Sequence, residues 1–277
     1  PQIVPKEKLT KVNGINGSIQ AIIQFVSPMV SAALLAVASI ELIFFIDVIT
    51  AAIAIVTLLA LDIAVHKKAV EREKISYFGD FKLGISYIQQ HVFLKKFFLF
   101  FAIFFVLMAP PAFLTPLQVA RSFGEDVWRL SAIEVAFSVG MMAGGAIIAS
   151  WGGFHNRVLT MAFASTIMGV CTFALGVVPI FSVYLTFMAI FGVAMPIFNT
   201  PATVLLQEKI EEDYLGRVFG VMGMITTSMM PLGMLLFGPI ADVVRIESIL
   251  VITGIFMIGL SLYLSKDSIL IEAGKSS

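Results

Sequence analysis

Eight stretches of the chain are apolar over roughly twenty residues each, at about 15–38, 42–64, 93–117, 128–150, 158–178, 181–204, 218–240 and 248–264. A helix needs about 20 mostly apolar residues to cross a bilayer. The runs are continuous rather than alternating and far exceed the 9–11 residues of a barrel strand, so a β-barrel is a poor reading. Composition agrees: 59% of the 277 residues are apolar and 13% charged, against about 45–50% and 25% in soluble domains. The leading segment Pro1–Lys11 is polar and the first stretch is too long for a signal-peptide core. The sequence therefore predicts an all-α polytopic membrane protein of eight transmembrane helices.

Orientation follows from the basic residues in the connections. Of the 18 Lys and Arg, all but Arg121, Arg129 and Arg245 fall on one side of the predicted spans. With an even number of spans, this places both termini in the cytoplasm. Net charge is zero, so no basic field points to nucleic acid. Cys171 is the single cysteine and excludes an intrachain disulfide.

The loop between the second and third spans is charged over 66–74. Phe78, Phe81, Ile85 and Ile88 then recur at helical spacing, with Asp80, Lys82 and Gln89 on other faces. This predicts a short helix lying on the membrane or on the cytoplasmic helix ends. An internal repeat accompanies it. Leu9-Thr10-Lys11-Val12-Asn13-Gly14 is similar to Leu215-Gly216-Arg217-Val218-Phe219-Gly220, and each precedes a span with an internal proline, Pro28 or Pro231. If the last six spans form one unit, the first two close an earlier one, and four more helices are expected upstream of Pro1. The expected division is 1–64, the last two helices of an N-terminal half; 65–92, a cytoplasmic linker; 93–265, a C-terminal half; and 266–277, a cytoplasmic tail.

Polar residues inside the spans are the candidates for function. In the first span Asn13, Asn16, Gln20, Gln24, Ser27 and Ser31 share an arc of about 80° at 100° per residue. Such a stripe faces protein or water; interhelical hydrogen bonding and a cavity wall both fit. Asp47 and Glu134 each lie five or six residues inside the outer end of a span. A carboxylate in the bilayer costs about 2.5–3.5 kcal/mol on insertion scales and normally faces the bundle interior. Buried there it would exchange protons near neutral pH; the plainer alternative is snorkelling or capping. Seven Phe between Phe93 and Phe105 read as packing before they read as an aromatic ligand cage. Pro110, Pro111 and Pro116 should break the third span and Pro196 and Pro201 should kink the sixth, leaving Asn199 and Thr200 as candidates to line a cavity. His66, His91 and His155 lack metal-ligand spacing. With no phosphate-binding loop, nucleophile elbow or paired-Cys motif, no metal, cofactor or enzymatic activity is expected.

Two six-helix units joined by a long basic loop is the plan of the major facilitator superfamily. Leu206-Gln207-Glu208-Lys209-Ile210 followed by Tyr214-Leu215-Gly216-Arg217-Val218-Phe219 resembles the loop before the eleventh helix of bacterial macrolide-efflux-type facilitators. Gln24-Phe25-Val26-Ser27-Pro28 and Phe45-Ile46-Asp47-Val48 resemble their fifth and sixth helices, and Ile133-Glu134 with Gly140, Gly144 and Gly145 their eighth. Gly14, Ser27, Pro28, Ser31 and Ala32 fit an eroded form of the fifth-helix antiporter motif, with Ile23 where a glycine is expected. Trp151-Gly152-Gly153-Phe154-His155-Asn156-Arg157 stands where a loop motif repeats, without its Asp and first basic residue.

That resemblance implies helices five to twelve of a twelve-helix transporter in a bacterial inner membrane. Its implied activity is export of small amphipathic, macrolide-like molecules by proton antiport. Asp47 and Glu134 would be proton-coupling candidates, Asn16, Gln20, Gln24, Asn199 and Thr200 cavity-lining candidates, and Gly14, Ser27, Pro28, Pro110, Pro111 and Pro231 packing or gating candidates. A facilitator for a lipid or metabolite, an inactive truncated chain and, further off, a membrane-embedded enzyme remain as alternatives.

Overall fold

A computed structural model describes residues 38–60, 77–124 and 126–275, with single positions between 23 and 34. The helices are α1 (Ile40–Ala60), α2 (Tyr77–Gln90), α3 (Val92–Leu107), a π-turn (Pro110–Leu114), α4 (Thr115–Phe123), α5 (Val127–Trp151), α6 (Arg157–Val177), α7 (Phe181–Lys209), α8 (Glu212–Val243), α9 (Ile246–Lys266) and α10 (Ser268–Ala273). No strand occurs among the described residues. Six helical runs there are long and apolar enough to cross a membrane. They comprise the continuous run Val92–Phe123 and the helices α5 to α9. The side chains of α1 from Leu42 to Thr57 are exposed, apart from half-buried Ile43.

The third span departs from expectation. Its prolines do not end it; the helix absorbs Pro110 and Pro111 as a π-turn and runs on to Phe123. Prolines delete backbone donors, and the widened turn accommodates the missing bonds. Pro116 offers no N–H to the preceding turn, and the Thr115 hydroxyl donates to the Pro111 carbonyl instead, at 2.9 Å. In α7, Pro196 and Pro201 likewise sit inside an unbroken 29-residue helix.

The six spans pack as close pairs. Gly140 and Gly144 of α5 face the backbone of Ala189 and Val193 on α7, and Gly192 of α7 faces the Phe137 carbonyl. Small residues let helix backbones touch where lipid supplies no hydrophobic drive. Gly169 and Gly176 of α6 meet α9 in the same way, joined by a 2.6 Å hydrogen bond between Thr166 and Ser261. The phenylalanines of α3 form a ring-stacked core with Phe198 of α7, among them Phe104 at 4.7 Å from Phe198. They are packing residues.

Helix ends follow local chemistry. Gly152, at φ +76°, takes the left-handed conformation that ends α5 and donates its N–H to Ile148. Asn156 caps α6 by accepting from the N–H groups of Val158 and Leu159. At this same end, helix α10 folds back under the bundle. Asp267 caps α10, binds Lys96 of α3 at 2.5 Å and accepts from Tyr263. Asn156 donates to Ile271, and Arg157 pairs with Glu208 of α7. Helix α2 lies on the start of α8: Gly84 touches Arg217, and Tyr87 stacks on Tyr214 with centroids 4.3 Å apart. Trp128 and Trp151 mark the two ends of α5, about 35 Å apart at 1.5 Å per residue, close to the spacing of interfacial aromatic belts.

Candidate ligand cavity

Two buried clusters fill the bundle, one toward the tail end and one toward the opposite end. Where they meet, a cavity of about 240 Å³ opens. Its wall is built around the π-turn. Met108, Pro111, Ala112 and Thr115 come from the bent run of α3 and α4. Glu134 and Phe137, three residues apart, share one face of α5. Met188, Phe191 and Met195 do the same on α7, and Leu175 and Met230 close the wall from α6 and α8.

The chemistry of this lining is narrow. Four thioethers and two phenyl rings give a soft, polarisable surface that adapts to different apolar shapes. Glu134 is its one ionisable group, and it is an exposed residue. Thr115 is the other polar side chain, and its hydroxyl is already committed to Pro111. The volume equals about eight water molecules at about 30 Å³ each, below the 300–1,000 Å³ of a drug-sized pocket. By itself the cavity accommodates part of a large ligand.

Of the residues singled out from the sequence, Glu134 and Pro111 line the cavity, Pro110 is buried in the π-turn, and Pro231 follows the lining residue Met230. Asp47 is exposed on α1 and is not in the cavity wall. Asn199 and Thr200 are exposed on α7, about one turn beyond Met195, and are not in the wall either. Ser27 is exposed, while Gly14, Asn16, Gln20, Gln24 and Pro28 lie outside the described residues. No cluster of His, Cys, Asp and Glu suited to a metal ion occurs among the described residues.

Sequence reading passed over the methionines and a buried polar pair. Gln118 of α4 is 2% exposed; its amide nitrogen donates to the Leu175 carbonyl at 2.8 Å, and its oxygen accepts from the Tyr184 hydroxyl at 2.9 Å. The signal for the first contact was present. Leu175 stands four residues before Pro179, which has no N–H to offer its carbonyl.

Comparison with known proteins agrees with this architecture. The profile of the Major Facilitator Superfamily matches residues 1–234. Macrolide efflux protein A of Streptococcus pyogenes is 30% identical over 260 residues, covering 93% of this chain and 64% of that protein. The Enterococcus faecalis protein of the same name is 31% identical over 236 residues, 84% of this chain and 73% of its own length. Multidrug efflux pump Tap of Mycolicibacterium fortuitum is 30% identical over 118 residues, 41% of this chain and 28% of that pump. The chain thus spans about two thirds of the curated relatives it covers best. No solved structure matches it significantly.

Proposed function

Because the chain belongs to the major facilitator superfamily, we propose that it works as part of an exporter of amphipathic, macrolide-like small molecules across a bacterial inner membrane. The observation that carries this reading is the α3–α8 cavity, where one carboxylate stands among methionines and phenylalanines. A cargo with an apolar body and one polar or cationic group matches such a wall. The efflux proteins among its relatives support the direction of transport.

The 240 Å³ volume is small for such a cargo, which fits a cavity that supplies one side of a larger site between two halves. In this scheme residues 93–265 are one rocking half. Residues 1–64 belong to the other, linked through 65–92, and the tail 266–277 and both termini face the cytoplasm. Protonation of Glu134, or of Asp47 on α1, from the outside would release cargo, and deprotonation inside would permit reloading. Glu134 has the stronger claim because it borders the cavity.

The test is reconstitution of the full-length protein in proteoliposomes. A proton gradient, acid inside the vesicle lumen into which cargo is pumped, should drive accumulation of a macrolide probe. Collapse of the gradient by a protonophore should stop it. Accumulation that ignores the gradient would refute proton exchange, and movement of a labelled phospholipid but not the macrolide would favour a lipid facilitator.

A further inference from the structure

We propose that Gln118 is a latch that holds the α4 limb against the bundle and so fixes the wall of the cavity. Three prolines, Pro110, Pro111 and Pro116, withdraw three backbone donors within seven residues of the third span. The π-turn they create separates α3, fixed in the phenylalanine core, from α4. Single π-turns inside α-helices often accompany functional positions. Here the turn supplies cavity-wall residues itself, so any pivot of α4 reshapes the wall.

What holds α4 down is a bridge between three helices. Helix α6 ends at Val177, with Val178 extended before Pro179, so the Leu175 carbonyl has no in-helix donor and Gln118 supplies one. The same amide accepts from Tyr184 of α7, which is fully buried. The amide orientation is determined by its partners, since the opposite flip would set oxygen against the Leu175 carbonyl. Leu175 also lines the cavity, so the bridge joins one wall residue to the limb that carries another, Thr115. A second contact, Ser122 to Glu247 at 2.8 Å, lies nearer the exposed end of α4. When the Gln118 bridge opens, α4 is held by Ser122 and the rings about Phe123, and a pivot at the π-turn displaces Thr115 in the cavity wall. The proposal rests on the exporter reading only in taking the cavity as the cargo's; docking of α4 itself is measured without transport.

The probe is a cysteine at Val119, which is fully buried beside Gln118, in a Cys171→Ala background of the full-length protein. Its rate of reaction with a polar maleimide in detergent reports undocking, normalised to a cysteine at exposed Ser248. Each buried hydrogen bond in a membrane protein contributes about 0.6 kcal/mol on average. Gln118→Met, which removes both, should therefore speed labelling about sevenfold, and Tyr184→Phe, which removes one, about threefold, at 1.4 kcal/mol per tenfold. Gln118→Glu at pH 5 is the rescue: the protonated acid offers one O–H donor and one carbonyl acceptor, and its rate should fall within about twofold of wild type. A purely structural glutamine would lower folded yield without changing the rate of the folded fraction. The latch is overturned if Gln118→Met and Tyr184→Phe both label within about twofold of wild type, or if Gln118→Glu at pH 5 labels as fast as Gln118→Met.

Discussion

Two adjacent glycines of α5 should respond in opposite ways to the same substitution. A Cβ built on Gly144 would come within 2.2 Å of the Val193 carbonyl oxygen and 2.8 Å of its Cα and carbonyl carbon, whereas one on Gly145 meets nothing within 4 Å. Ordinary contact at about 3.4 Å would require α7 to retreat by about 1.2 Å, and a gap of that size along the seam forfeits about half of its dispersion attraction. Gly→Ala gains about 1 kcal/mol of helix propensity at either position, so the difference between the two variants isolates the packing. Overpacking typically costs about 1–3 kcal/mol. At about 2–4 °C per kcal/mol, Gly144→Ala should melt several degrees below Gly145→Ala, with Gly145→Ala at or above wild type. The measurement is the apparent melting temperature of the purified full-length protein in detergent at one fixed scan rate. Because α5 and α7 carry five of the cavity-lining residues, macrolide affinity should fall in Gly144→Ala and hold in Gly145→Ala. Equal melting temperatures for the two variants would refute the backbone-contact reasoning.

Three other outcomes are expected. Glu134→Gln should abolish gradient-driven export while leaving cargo binding measurable in detergent, with a smaller loss in Asp47→Asn; wild-type export and pH dependence in both would move coupling elsewhere. In a Cys171→Ala background, cysteines at Gly124 and Ser248 should react with an impermeant thiol reagent outside intact cells, and one at Glu211 only after permeabilisation; the reverse pattern would invert the topology. Burial pushes the Asp267 carboxyl up, but hydrogen bonds from Lys96, the Leu270 N–H and Tyr263 outweigh it and hold it below its ordinary value of 3.8. Because the folded carboxyl titrates below the unfolded one, the tail contact is at full strength above about pH 4 and is lost as pH falls through the folded value. Amide exchange at Ile269 and Leu270 should therefore stay flat from pH 8 to pH 5 after correction for intrinsic rates. Asp267→Asn should exchange faster across that range, and no difference would discount the Lys96 contact.

The last six of the eight expected spans were legible because their signal is additive: twenty apolar residues in a row leave few alternatives, and most of their predicted ends fall within a few residues of those observed. The third span was misjudged for a specific reason. Its three prolines are strong local breakers, yet burial of Pro110, Pro111 and Leu114 and the Thr115 hydroxyl keep the chain helical through a π-turn. Glu134 could be singled out because one charge in an apolar run is conspicuous. Asp47 was equally conspicuous, and it stands apart from the cavity because its helix does not contribute to that wall.

The rest of the site was hidden because its members are ordinary residues made unusual only by their neighbours. Met108, Met188, Met195 and Met230 come from three runs of the chain, and spacing within one helix shows only the pair at 188 and 195. Gln118 sits in a short, polar-tempered segment where a glutamine attracts no notice, and its role depends on how a helix ends before a proline 61 residues away, in the connection from α6 to α7. The general rule is a conditional one. A proline just past a helix end stops the helix and leaves its last carbonyls without in-helix donors, and in a membrane these must find donors elsewhere, such as from another span. Applied to Pro179, the rule asks which amide, hydroxyl or indole at matching depth could reach Leu175. At that end of the bundle the third span offers Gln118, and the contact then follows from a backbone debt written in the sequence.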